Sequence, residues 1–264
     1  MMRKLSFMAV SAGLAAASLL AQGPGRHMGP GGGPGDFEMV RAEFGLSNKV
    51  VTGAPYSAQA VTQFTQTLSN GDHIQRTTTA SVARDSQGRT RMDRSIGTVG
   101  ALAATGRGED RAIVIHDPVA EMSYALDPVS KTARAMAIPA AHAHARPENA
   151  DARTGRWQAD AKIEDLGTQT IQGVSAQGKR VTRVIPAGKE GNEKEIDIVT
   201  ETWYSPDLQV VVMSKTSDPR FGDSVYQLNS LTRAEPDPAL FTVPSDYAVK
   251  QGRPMTRPAP PAAQ

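Results

Sequence analysis

The chain has no cysteine among its 264 residues. That excludes disulfides, thiolate zinc sites and thiol catalysis. It also removes the residue by which bacterial lipoproteins receive their lipid. Aromatic residues are scarce at 5%. The apolar content of 39% is lean but sufficient for a folded domain. No apolar run beyond the first 21 residues is long enough to span a membrane, which takes about 20 residues. Charge of one sign is also lacking. Removing Arg3 and Lys4 from the 29 basic residues leaves 27, equal to the 27 acidic ones. A nucleic-acid partner, which wants a basic patch or stripe, finds no support. Neither a Gly-x-Ser-x-Gly elbow nor a Gly-x-x-x-x-Gly-Lys-Ser/Thr loop occurs, so no motif names a reaction.

What is present begins with residues 1–21. Arg3 and Lys4 precede an apolar stretch from Leu5 to Leu20, closed by Ala21 before Gln22-Gly23-Pro24. A basic head, a short apolar middle and a small residue before a break form a secretory signal peptide. The expected location is therefore the periplasm or the extracellular space. Residues 22–36 are so rich in Gly and Pro that they read as a tether. Residues 251–264 form a Pro-rich tail, and residues 138–156 an exposed loop without period. The folded part is expected over 37–250 as one domain.

Within it, strand signals recur about every 8–12 residues. Ser57 to Leu68 alternates, with Ala58, Ala60 and Phe64 opposite Gln59, Gln63 and Thr65. Asn70-Gly71-Asp72 predicts a hairpin turn, followed by strands at His73–Arg84 and Arg89–Ile96. Further strands are read at Arg111–His116, Met122–Leu126 and Thr132–Ala137. After the loop come Gly167–Ile171, Val174–Ile185, Ile196–Tyr204, Leu208–Lys215 and Ser224–Leu231. A bulge or turn is expected at Gln177-Gly178. The Arg-rich stretch 84–94 reads as a solvated face that discourages pairing at a sheet edge. Helix is sparse: a short segment at Phe37–Phe44, and one turn at Glu235–Phe241 with Asp237 capping and Pro238 leading. The expected fold is mainly β, a single strongly curved antiparallel sheet with few short helices.

Three segments carry a family likeness. LGTQTIQGVSAQGKRVTRVIP (166–186), ETWYSPDLQVVVMSKTSD (201–218) and EPDPALFTVPSDYAV (235–249) resemble, in their order, the back half of periplasmic lipoprotein-carrier-like domains. Asp237, Pro238, Phe241 and Pro244 form the closing element of that pattern. Residues 50–249 also resemble a group of uncharacterised secreted bacterial proteins of acidobacterial type. The carrier likeness implies a half-barrel whose concave face holds an acyl chain or a protein segment. The chain departs from it at the start, where a tether stands in place of the carriers' opening amphipathic helix.

Candidate sites are few. His142 and His144, with His116 or His27, could offer imidazoles to a metal, but a mobile Ala-rich loop does not converge them, and no metal or cofactor is expected. His116-Asp117 reads as a turn rather than as part of a hydrolytic triad, and no catalytic residue is assigned. Asp218-Pro219-Arg220-Phe221-Gly222 is the most distinctive loop, either a contact loop or a hairpin with Arg220 paired to a neighbouring Asp and Phe221 plugging the barrel end. Trp203 and Tyr204, adjacent on a strand, must face opposite sides. Trp203, Tyr204, Arg220 and Phe221 are thus the candidate ligand-binding residues. The function expected is an exported, non-enzymatic envelope module that binds an apolar ligand such as a lipid, or an extended segment of an envelope protein. A structural or surface interaction protein and an exported hydrolase are the alternatives. If the leader is cleaved as read, N-terminal sequencing of protein from an export-competent host finds a chain starting near Gln22; an intact Met1 would refute the leader.

Overall fold

The computed structural model describes residues 50–96, 110–138 and 161–252. The leader, the tether, the segment at Phe37–Phe44 and nearly all of the 138–156 loop and the Pro-rich tail lie outside the described residues. Six strands run first: β1 (Tyr56–Thr67), β2 (His73–Arg84), β3 (Thr90–Ile96), β4 (Asp110–Asp117), β5 (Met122–Asp127) and β6 (Thr132–Ala137). Five follow: β7 (Ala161–Ile171), β8 (Val174–Ile185), β9 (Ile196–Ser205), β10 (Val210–Asp218) and β11 (Gly222–Thr232). A 3-10 turn at Pro238–Phe241 and a last strand, β12 (Ala248–Gln251), complete the described part. All twelve strands lie in one sheet, ordered β12-β6-β5-β4-β3-β2-β1-β11-β10-β9-β8-β7. The sheet is open and curved, a half-barrel.

Two meanders, β1–β6 and β7–β11, are joined where β1 pairs antiparallel with β11. Short turns explain the local pairings. Gly71 takes φ +84° in the β1–β2 turn, a conformation that costs glycine nothing. Aspartates close several of the others by accepting backbone N–H groups two to four residues on. Asp85 Oδ1 accepts from Gln87 and Arg89 at 3.0 and 2.8 Å. Asp117 Oδ1 serves Val119 and Ala120, and Asp127 Oδ1 serves Val129 and Ser130. The 3-10 turn is capped as its sequence predicts, Asp237 Oδ1 accepting from the Ala239 N–H at 2.9 Å.

Three expectations need correction. Residues 84–94 are not at an edge: β3 sits between β2 and β4, and the edges are β7 and β12. Several of its charges are instead absorbed locally, by Arg89–Asp85 at 2.5 Å and by Arg91–Asp93 at 3.5 Å, with Asp93 also binding Arg111 of β4 at 2.6 and 2.7 Å. The bulge lies not at Gln177-Gly178 but across the pair, between Asp165 and Gly167 of β7. Gly178 is glycine for another reason: a Cβ there would stand 2.5 Å from the Trp203 ring. Finally, β12 has no counterpart among the expected strands. Its four residues are exposed, and it runs parallel to β6.

Two apolar clusters sit on the sheet. The larger takes Tyr56, Ala60, Val82, Leu208, Val212 and Leu228, with Trp203 and the β7–β8 turn residues Ile171 and Val174. Burying one such aliphatic side chain contributes about 1.5–3 kcal/mol. The smaller cluster, Ile113, Ile115, Leu126 and Ala133, is covered by Val243 and Tyr247 of the closing segment. Register places it on the opposite face: Ile115 pairs with Arg91, which pairs with Ala83, whereas Tyr56 pairs with Arg84.

One buried charge knits the end of the sheet. Arg84, 5% exposed, donates to the Ala54 carbonyl from Nε and Nη2 at 3.1 and 3.0 Å, and from Nη2 to Leu208 O. Its guanidinium also lies 4.9 Å from the Tyr56 ring centre. It thereby ties the segment entering β1, the start of β10 and the end of β2 together.

Gly178→Ala is expected to lower unfolding stability by roughly 1–3 kcal/mol, the usual cost of overpacking. Equilibrium urea denaturation checks this, and Gly167→Ala, with open space but φ +76°, separates backbone strain from the clash with Trp203.

Candidate functional site

The four residues singled out in the sequence do not form one site. Trp203 is 8% exposed and packs in the larger cluster. Tyr204 faces the other way and is 38% exposed. It lines an open groove of about 580 Å³ with Ile163, Gly167, Gln177, Lys179 and Thr202. Arg220 and Phe221 occupy the β10–β11 turn, beyond Asp218, whereas Trp203 pairs with Met213. Five residues of extended strand separate Met213 from Asp218, about 17 Å.

Arg220 is fully engaged. It donates to Asp218 from its backbone N–H (3.0 Å), Nε (2.9 Å) and Nη2 (2.7 Å), and to Glu190 from Nη1 at 2.6 Å. Arg220 holds the Asp218 carboxyl below its ordinary range, and Asp218 with Glu190 pushes the guanidinium up. The pairing of Arg220 with Asp218 is as expected. Phe221 is not a plug: it is 50% exposed beneath the Arg220 guanidinium, 5.0 Å away. A second groove, of about 570 Å³, is lined by Gln59, Ser81, Arg91, Asp93, Arg111 and Leu240. Its charges are paired among themselves through Asp93.

The more informative surface is the face that carries Tyr56, Ala60, Val82 and Leu228, called the inner face. Along β2, its residues Ile74, Arg76, Thr78 and Ala80 are half-buried, while His73, Gln75, Thr77, Thr79 and Ser81 on the other face are exposed. β2 thus has one half-buried side and one exposed side over residues 73–81. Cross-strand register resolves the inner face into rows. The first is apolar until its end: Leu228, Ala60, Ala80, then Arg94. The second is Ser214, Tyr226, Thr62 and Thr78. The third is Thr200, Thr216, Ser224, Phe64 and Arg76. Apolar packing thus grades into a band of hydroxyls flanked by two arginines. None of these residues is an acid.

Three polar atoms on these rows are buried without a hydrogen-bond partner: Arg76 Nε, Arg94 Nε and Ser214 Oγ. Such atoms cost about 1–3 kcal/mol each, and more on charged groups. None of the three residues was singled out in the sequence. A signal existed: period-two alternation puts Arg76 on the side of Ile74 and Val82, and Arg94 on the side of Met92. An arginine on the apolar side of a half-buried strand needs a partner.

The two described histidines lie on different strands. His73 bonds Thr67 Oγ1 at 3.1 Å in the first hairpin. His116 lies half-buried between Thr90 and Ser123 on adjoining strands. Its burial pushes the imidazole below its usual range, against a smaller opposing pull from Asp117. His27, His142 and His144 lie outside the described residues. Among the described residues no group of three His, Asp or Glu side chains could hold a metal.

No protein-family model matches the chain, and no curated protein does. The likeness to an uncharacterised acidobacterial-type family therefore finds no support. Several solved structures resemble it distantly in fold. One is the Pseudomonas aeruginosa MucA/MucB complex, at 14% identity and a TM-score of 0.42, covering 81% of this chain and 61% of that one. Another is the LolA superfamily protein NE2245 of Nitrosomonas europaea, at 9% identity and a TM-score of 0.30, covering 77% and 97%. A third is the Mycobacterium tuberculosis lipoprotein LppX, at 13% identity and a TM-score of 0.29, covering 70% and 90%. The chain spans about three-fifths of the MucB chain. Likenesses this distant carry no argument about ligand or activity.

His116 gives a pH prediction. Because its folded value lies below the unfolded value near 6.5, the unfolded chain binds the proton more readily. Its contribution is fully present above about pH 6.5 and is lost as pH falls through the lower folded value. Thermal unfolding between pH 7.5 and 5 should show falling stability, and His116→Gln should flatten that slope. The Asp218–Arg220 pair has the opposite partner but a separate window, failing only as pH drops below about 4.

Proposed function

We propose that the protein is an exported, non-enzymatic binding module of the cell envelope that takes an elongated ligand along the inner face of its sheet. The observation that carries this reading is the half-burial of one face of β2 against the exposure of the other. That face is sheltered from water without being packed as a core. Ligand sites are concave and prepared in advance, with a few convergent polar groups on an otherwise apolar wall. The gradient from Leu228 and Ala60 to Thr62, Thr78 and Arg76 has that character. The leader-like first 21 residues support export, and the carrier likeness of 166–249 supports a half-barrel used for binding.

Native mass spectrometry of the protein isolated from its own envelope tests the reading. The expected result is a population heavier than the apo chain by a discrete lipid or peptide mass. A clean apo mass, with no uptake of peptides or of lipid from vesicles, would sink it.

A further inference from the structure

We infer that the inner face binds an acidic, extended peptide segment, held through its carboxylates by Arg76 and Arg94; this deepens the binding-module reading and rests on it. Both guanidiniums are half-buried on one face, and neither Nε has a partner. A third unpartnered atom, Ser214 Oγ, stands in the hydroxyl row between their rows. A guanidinium presents a fork of donors matched to a carboxylate, and such charge-assisted pairs are about twice as strong as neutral ones. No acid occupies the three rows to neutralise these arginines. Five other described arginines show the contrast: Arg84, Arg89, Arg111, Arg180 and Arg220 each bond a carboxylate or a backbone carbonyl.

Geometry indicates the length of the segment. Arg94 pairs with Ala80, four residues along β2 from Arg76 and one strand over. Extended-strand spacing then separates the two Cα atoms by about 14 Å, which matches carboxylates four residues apart in an extended chain. The chemistry of the wall between them selects a peptide over an acyl chain. Thr62 and Thr78, both half-buried, would be desolvated without partners by hydrocarbon, at a cost in free energy. A peptide backbone supplies N–H and C=O groups to those hydroxyls, and Phe64 offers an apolar contact for an intervening side chain.

The test uses the full mature chain and a fluorescein-labelled decapeptide of threonine with two glutamates four residues apart. The same peptide with glutamines, and vesicles of phosphatidylglycerol or phosphatidylcholine, serve as comparisons. The glutamate peptide should bind, the glutamine peptide at least tenfold more weakly, and raised salt should weaken the former. Arg76→Gln and Arg94→Gln should each weaken it about tenfold while leaving the melting temperature unchanged or higher, because a half-buried cation with an unpartnered Nε is removed. A lowered melting temperature in both variants with unchanged peptide affinity would make the arginines structural and overturn the inference, as would binding of phosphatidylglycerol vesicles but not of the peptide. Both of those results leave the binding module standing; only an absence of every ligand, including in native mass spectra, removes both.

Discussion

The buried guanidinium of Arg84 is the constraint on which the end of the sheet depends. It takes carbonyl partners from Ala54 and Leu208, residues distant in sequence, and stacks on Tyr56. Each carbonyl would otherwise be hard to satisfy at a point where strands enter and leave the sheet. Around this tie the larger cluster packs, with Tyr56, Leu208, Val212 and Leu228 almost fully buried. The join of β1 to β11, which turns two meanders into one sheet, lies directly beside it.

From that closed end the inner face changes character in an ordered way. Near Arg84 it is apolar and filled. Further along it is lined by hydroxyls, and among the described residues no carboxylate pairs with Arg76 or Arg94 at its margins. The outer face is managed differently. Its charges around Asp93 are paired, and Ile113, Ile115 and Leu126 are covered by the closing segment after the 3-10 turn. The same sheet therefore has one face completed by its own chain and, over β1–β2 and β10–β11, a sheltered face with polar atoms left unsatisfied. A binding function follows more readily from that asymmetry than from any single residue.

Most of the strands were legible because their alternation and their turn chemistry agree. The start and end of β2 and of β8 coincide with the expected ones, and Asn-Gly and Asp-Ser-Gln-Gly turns bracket β2. Two features were read wrongly for one reason. Gly178 looked like a turn and residues 84–94 looked like an edge, but both properties depend on a neighbour across the sheet: the Trp203 ring in one case, β4 in the other. β12 was illegible because its backbone pairing with β6, from Ala248 N–H to Lys131 O onward, needs no side-chain pattern. The candidate site residues were chosen for being unusual in sequence, and Arg220 is unusual because it is already satisfied by Asp218 and Glu190. Arg76 and Arg94 looked ordinary among many arginines.

The amino-acid sequence by itself determined the strands, their turns, the balance of charge and the lack of thiol chemistry, because these rest on contacts within a few residues or on composition. Only the tertiary structure decided which strands became neighbours, which face was sheltered, and which charges found partners. Those depend on pairings such as β1 with β11, whose residues lie more than 150 positions apart in sequence. A short-range pattern can specify that Arg76 faces inward. It cannot specify that no acid faces it there.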